Sequence, residues 1–183
     1  LLDTGTFADL TCGRTTLDLE AAINGKKVVI LNLSKGSVGE TESAAFGKLV
    51  VSLMQAYAQR RTRVREADRV PTHLIIDECH NYITRSMGKI LEEARGMRLY
   101  LTLAQQTVGS GMPVDLERSL LNLCNVKMIG QSEVSEEKKP AAIVGVDGRD
   151  VAALPRGGFF SKARGKPAFK FRTRTDLLGF KHS

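Results

Sequence analysis

A chain of 183 residues that is 42% hydrophobic and 26% charged is long enough for one domain with a full core, and too evenly mixed for a disordered or fibrous class. Its formal net charge of +7 favours a polyanionic partner, nucleic acid or an acidic membrane surface, without selecting between them. No run approaches the roughly 18 apolar residues of a membrane span and no signal peptide opens the chain, so the expectation is a soluble product. It begins at Leu1 with no clean first element, which reads as a piece of something longer whose membrane anchor, if any, lies elsewhere. Cys12, Cys79 and Cys124 are far apart and two flank strand-like runs, which argues against a disulfide framework and for a reducing cytosol.

Thr15 to Asn24 carries Leu17, Leu19, Ala21, Ala22 and Ile23 with early acidic residues, and Gly25 stands where a helix stops. Lys27 to Leu33 (KVVILNL) is β-rich and apolar and predicts a buried strand, closed by the loop Ser34-Lys35-Gly36-Ser37. From Gly39 or Glu40 to about Arg63, the residues Phe46, Leu49, Val50, Leu53, Met54 and Tyr57 recur at helical spacing, predicting a long helix packed on a sheet. Arg60, Arg61, Arg63, Arg65 and Arg69 crowd the next connection. A DNA contact, the dipole of a helix C-terminus and a solvated face all suit such a cluster, and a solvated face is the commonest case.

Thr72 to Ile83 (THLIIDECHNYI) runs apolar residues straight into two adjacent carboxylates. That pattern predicts a buried parallel strand delivering Asp77 and Glu78 to the carboxyl edge of a sheet, where open α/β sheets keep their ligands. It equally describes a strand followed by a solvated acidic turn. His73, Cys79 and His80 match no zinc spacing and alternate across a strand, so they read as buried structural residues. A helix is expected over Arg85 to Arg95, then a strand over Leu99 to Ala104 ending in Gln105 and Gln106. Gly109 to Pro113 makes a loop, Val114 to Leu123 a helix capped by Asp115, and Val126 to Ile129 a fourth strand.

Beyond Gln131 the pattern changes. Glu133 to Val144 is helical in pattern but interrupted at Pro140, and Asp147 to Leu154 is a turn or short helix stopped by Pro155. Gly158 to Ala163 and Ala168 to Thr173 alternate around Arg164-Gly165-Lys166-Pro167, a terminal hairpin. Its second arm sets Phe169 and Phe171 against Lys170, Arg172 and Arg174, which suits an ordinary edge strand first and nucleic acid second. The alternation of strands and helices predicts an α/β fold with a mostly parallel sheet covered by helices.

Three strand ends then converge: Ser34-Lys35-Gly36, Asp77-Glu78 and Gln105-Gln106. An NTPase metal strand has this layout, one carboxylate holding Mg²⁺ and the next polarising the attacking water. A glutamine on the neighbouring strand end offers a donor and an acceptor on one plane, able to bond both the water and a γ-phosphate.

The ordered blocks KVVILNLSKGSVGE, HLIIDECHNYI, ILEEARGMRLYLTLAQQ, LLNLCNVKMIGQ and VAALPRGGFF resemble the C-terminal half of the TraG-like coupling proteins of conjugation and type IV secretion. These ATPases are grouped with the FtsK and HerA type hexameric DNA translocases. The resemblance covers about residues 14 to 173. It implies a RecA-like P-loop motor fold using ATP and Mg²⁺, with Asp77 as the metal carboxylate, Glu78 activating water and Gln106 as sensor. It further implies that Arg95 reaches a neighbouring subunit's nucleotide as an arginine finger, in a homo-oligomeric, hexameric ring. DNA would be the main partner, with a relaxase and type IV secretion channel proteins beside it. The location implied is the cytoplasm, at the inner face of the membrane through an anchor outside this chain.

The chain departs from that family in one respect: no G-x-x-x-x-G-K-[ST] occurs in it, and the glycine-rich Gly36 to Glu40 stretch has no lysine in the required place. The expectation is therefore the distal part of a motor domain, with a core over about 14 to 131 and an extension over 132 to 183, and with the phosphate loop upstream. Asp77-Glu78-Cys79-His80 also spells a DExH box, but LAQQTVGS stands where a Ser-Ala-Thr element belongs and no Gln-x-x-Gly-Arg-x-x-Arg follows. A third reading is a non-catalytic module that binds DNA or protein through its basic tail.

Overall fold

The computed structural model describes residues 12–14, 17–34, 36, 39–84, 93, 96–108, 111–131 and 138–174. The chain divides into two compact units, Leu1–Leu116 and Glu117–Ser183. In the first, helix α1 (Leu19–Asn24) starts where the Asp18 side chain accepts the Ala21 N–H at 2.9 Å and ends where the Gly25 N–H returns to Ala21 and Ile23. A helix this short does not persist by propensity alone. Tyr57 Oη donates to Asn24 Oδ1 at 2.9 Å and Arg60 pairs with Glu20 at 3.0 Å, tying α1 to the next helix.

Helix α2 (Glu40–Arg60) has Glu40 and Glu42 in its first turn and Arg60 in its last, the charge order that suits the helix dipole. Ser43, Gly47, Val51, Met54, Tyr57 and Ala58 form its buried stripe, and a 3₁₀ turn over Arg61–Arg63 extends it to the expected end. Strands β1 (Thr72–Ile76) and β2 (Leu99–Leu103) then pair in parallel, Thr72 opposite Leu99 and Ile76 opposite Leu103. The ladder continues past both strands, with Ala104 N–H on Ile76 O and Cys79 N–H on Ala104 O, each at 2.9 Å. This pairing locks the two strand ends side by side.

The strand expected over Lys27–Leu33 does not join that sheet. The segment carries no strand pairing, and Val28 and Ile30 are 88% and 86% exposed. Val29, Leu31 and Leu33 line a cavity of about 580 Å³ together with Leu74 and Ile76 of β1. The Leu33 carbonyl is bound by Ser43 Oγ at 2.6 Å rather than by a neighbouring strand. The helix expected over Arg85–Arg95 falls, Glu93 apart, outside the described residues.

Most of the arginine cluster is the solvated face expected: Arg60, Arg63 and Arg65 are exposed and Arg69 is half-buried. Arg60 pairs with Glu20, Arg65 with Asp68 at 2.8 Å, and Arg69 Nε donates to Val64 O at 2.9 Å. Arg61 is 4% exposed, because its guanidinium is spent on backbone and hydroxyl acceptors inside the unit.

The unit boundary falls within helix α3 (Val114–Leu123), whose start at Val114 puts Asp115 in the first turn and not at the cap. In the second unit, β3 (Val126–Gly130), β4 (Gly158–Ala163) and β5 (Phe169–Arg172) form an antiparallel sheet in that order. The fourth expected strand thus exists but pairs with the hairpin. The register sets Ile129 opposite Phe160, and both pack on Ala141, Val151 and Leu154 from helices α4 (Lys138–Val144) and α5 (Gly148–Ala152) and the turn beyond. Pro140 lies in the first turn of α4, where its missing N–H costs nothing. Asp147 caps α5 by accepting the Arg149 N–H at 2.8 Å. β5 is an edge strand, as expected, with Phe171 stacked on Phe159 at 5.6 Å and close to Phe169 at 6.0 Å.

None of the three cysteines is bridged. Burial pushes the Cys124 thiol above its ordinary range, with Lys127 opposing, whereas Cys12 is exposed. A higher pKa means less thiolate at a given pH. In an iodoacetamide time course at pH 8 followed by peptide mapping, Cys12 should therefore be alkylated about tenfold or more faster than Cys124; equal rates would contradict the burial.

Candidate active site

The pairing of β1 with β2 decides where the chemistry sits. Ile76 ends β1 and is its one fully buried residue, with Ile75 beside it 71% exposed, so the strand, contrary to expectation, is not buried on both faces. The backbone then turns sharply: Asp77 is exposed, and Glu78 adopts a left-handed conformation with φ 47° and ψ 48°. A non-glycine residue held there stores of order 1–3 kcal/mol, and such strain collects at functional sites. Two contacts over-determine the turn. Asp77 Oδ1 accepts the Glu78 N–H at 3.0 Å, and the Glu78 carbonyl accepts both the N–H and the side-chain Nδ2 of Asn81, at 3.0 and 3.2 Å.

Glu78 is engaged at both carboxylate oxygens. Gln106 Nε2 donates to Oε1 at 2.5 Å, and His80 Nδ1 stands 3.5 Å from Oε2. Gln105, the other member of the glutamine pair, turns its Oε1 to within 3.7 Å of the buried Cys79 Sγ. The two glutamines are thereby separated in role: Gln105 braces the turn and Gln106 reaches the acid. Ser34, Asp77 and Glu78 all line the cavity described above, so the ends of the first two predicted strand segments share it even though the first makes no ladder, while Gln106 reaches the group through its bond to Glu78.

Sequence reasoning placed Asp77, Glu78 and Gln106 together, and the structure brings them together. Arg95 lies outside the described residues. The grouping of His73, Cys79 and His80 as buried residues needs correction, since only Cys79 is buried. His73 is exposed and stacks on Tyr100, its partner across the ladder, at 5.0 Å. His80 leaves the strand with the Glu78 turn and becomes a neighbour of the acid, which an alternation rule for strands misses. Asn81 and Tyr82 were also unflagged. Tyr82 Oη lies 3.3 Å from Ser43 Oγ, with its ring over Gly47 of α2, and this seats the segment after the turn.

Among the described residues no group of three or more His, Cys, Asp or Glu forms a metal cluster. A lone exposed carboxylate such as Asp77 still fits Mg²⁺, which keeps most of its waters and takes one or two protein carboxylates together with substrate phosphates. One Asp77 oxygen accepts the Glu78 N–H, which restrains the orientation of this exposed carboxylate.

No protein-family profile matches the chain, and no curated protein does. Solved structures do. The plasmid coupling protein TrwB in complex with a non-hydrolysable ATP analogue is 15% identical with a TM-score of 0.56, over 70% of this chain and 36% of that one. The unbound form of the bacterial conjugative coupling protein, TrwBΔN70, gives a TM-score of 0.59 at 15% identity, over 76% and 38%. The genome-packaging NTPase B204 of Sulfolobus turreted icosahedral virus 2, bound to ATP-γ-S, is 17% identical with a TM-score of 0.58, over 86% and 72%. The fold is that of the RecA-like NTPases. Identities this low carry the fold alone, and the chain spans little more than a third of the length of the TrwB chains. Within the RecA-like architecture, β1 and β2 are adjacent parallel strands, and their carboxyl ends are the place where such sheets hold ligands.

Proposed function

We propose that this chain is the distal part of an ATP-driven, DNA-translocating motor of the conjugation and type IV secretion class. The observation that carries this reading is the placement of Glu78, strained beside Asp77 and bonded by Gln106 from the next parallel strand. In the reading, Glu78 takes the proton of a water whose oxygen attacks the γ-phosphorus. The bond to the ADP oxygen breaks in line, and charge develops on the transferring group. Gln106 orients the water through its amide, and its bond to Glu78 holds the acid ready before nucleotide arrives. Asp77 would hold Mg²⁺, which neutralises phosphate charge when bound. Arg95 would come from the adjacent subunit of a ring, hexameric in the family resembled, so that docking completes the site.

The chain has no phosphate-binding lysine loop, so we further propose that this polypeptide alone neither binds ATP tightly nor turns it over, and that the loop belongs to the longer protein. DNA is the proposed partner, gripped through phosphates by lysines and arginines and hence sequence-tolerant and salt-sensitive. A relaxase and secretion-channel proteins are the proposed further partners, with the motor on the cytoplasmic side of a membrane.

The test is ATP hydrolysis by the longer polypeptide with and without DNA, over a series of Mg²⁺ and salt concentrations. Hydrolysis that requires Mg²⁺ and rises severalfold with DNA at low salt is expected. A longer protein with an intact phosphate loop that hydrolyses nothing, or ignores DNA at every salt concentration, would favour the interaction-module reading.

A further inference from the structure

Two side chains approach the carboxylate of Glu78, and the proposed reaction uses one of them. Gln106 meets Oε1, while His80 Nδ1 stands 3.5 Å from Oε2. The cavity beside β1 is lined by Asp77 and Glu78 but not by His80, so His80 acts on anything held there through the acid. Its ring is half-buried, with 27% of the side chain exposed, and one edge is set against the backbone of another loop. A Cβ built on Gly111 would stand 2.9 Å from His80 Cδ2 and 3.6 Å from Cγ, closer than a side chain tolerates. Gly111 also has a φ of 70°, in the left-handed region that favours glycine. The position thus has two independent reasons to be glycine, and one of them is room for the imidazole. Gly111 lies five residues beyond Gln106, so the segment that follows β2 meets Glu78 twice, directly through Gln106 and at second hand through His80.

We propose that His80 is a positioning residue of the site: its Nδ1–H holds Glu78 Oε2, which leaves Oε1, on the Gln106 side, as the oxygen that takes the proton from water. This deepens the motor reading and rests on it. A glutamate side chain has three torsions to fix, and a base held at neither oxygen rotates out of line. When Gln106 turns its amide toward an incoming water, its contact with Oε1 loosens, and the tether at Oε2 remains. The 3.5 Å separation exceeds a closed N–H···O bond of about 2.7–3.2 Å, and catalytic hydrogen bonds are often long before substrate binds and tighten afterwards. A ring backed by Gly111 cannot retreat as the pair closes. The donation needs a hydrogen on Nδ1, which both the Nδ1-protonated neutral ring and the imidazolium carry.

The experiment measures kcat and KM for ATP on the full-length protein carrying His80→Asn, His80→Phe, Gly111→Ala or Glu78→Gln. Asparagine sets an amide N–H near the place of Nδ1, whereas phenylalanine fills the seat on Gly111 and donates nothing. His80→Phe should lower kcat about 10- to 10²-fold, the scale of a misplaced reacting group, with KM nearly unchanged. His80→Asn should stay within about threefold of wild type. Equal kcat in the two variants, or a reversed order with phenylalanine the more active, would overturn the proposal, since packing and not donation would then be what the position supplies. Gly111→Ala keeps both partners and displaces the ring. Should neither histidine variant fold, it carries the test: a drop of about threefold or more in kcat with KM unchanged supports the proposal, and unaltered turnover overturns it. An inactive Glu78→Gln beside a fully active His80→Phe would end the role of His80 alone, whereas a fully active Glu78→Gln would end the motor reading with it.

Discussion

Replacing Glu78 by glutamine in the full-length protein should reduce ATP hydrolysis by about 10²–10⁴-fold, the range that a positioned general base contributes, while leaving nucleotide affinity and fold in place. The substitution preserves the side-chain carbonyl that accepts from Gln106 Nε2, so the turn keeps its brace. What it removes is the group able to take a proton. Single-turnover hydrolysis with a parallel measurement of nucleotide binding separates the two, and a variant within about threefold of wild type in both would end the assignment of Glu78. Glu78→Gly should be equally inactive but no less stable. Glycine accepts φ 47° without the Cβ penalty, so relief of the strain, about 1 kcal/mol or more, offsets glycine's extra unfolded-state entropy of roughly 0.5–1 kcal/mol. A residue whose removal costs activity but not stability is one retained for chemistry.

The acid pair and its glutamine were legible because strand ends announce themselves: an apolar run stopping at charge marks a carboxyl edge, and parallel pairing then brings consecutive edges together. The same logic misjudged Lys27–Leu33. Its composition is that of a buried strand, but composition reports burial preference and β propensity, not whether a neighbour's backbone comes within hydrogen-bonding distance. Arg61 was illegible for a different reason. Five arginines in ten residues look solvated, and only the three-dimensional arrangement of carbonyls 96 to 98 singles out the one turned inward. His80 and Asn81 escaped notice as neighbours of Glu78 because the left-handed turn breaks strand alternation at the residue where it matters. Val126 to Ile129 and the hairpin arm Gly158 to Ala163 were each legible as strands while their pairing was not, since a short run carries no signal of which neighbour it takes or in which direction.

Enlarging Gly47 should damage both the fold and the site. Gly47 is buried in α2, and a Cβ built there overlaps Cδ1 and Cε1 of the Tyr82 ring and stands 3.0 Å from Cγ. Glycine in a helix interior is worse than alanine by about 0.8–1.0 kcal/mol, so on propensity alone Gly47→Ala would stabilise. Overpacking typically costs 1–3 kcal/mol and here wins, because the obstacle is a ring whose hydroxyl is tethered 3.3 Å from Ser43 Oγ one turn earlier on the same helix. The net expectation is a loss of about 1–2 kcal/mol for Gly47→Ala and about 3 kcal/mol for Gly47→Val, read from urea unfolding. Displacing Tyr82 also pulls on Asn81, whose side chain holds the Glu78 carbonyl at 3.2 Å, so hydrolysis should fall with stability. The double variant Gly47→Ala with Tyr82→Ala decides the cause. With the ring gone the methyl meets open space, and the substitution should become favourable by its propensity gain, giving a coupling between the sites of about 2–3 kcal/mol. Costs that simply add would mean that Gly47 is required for something other than the seat of Tyr82.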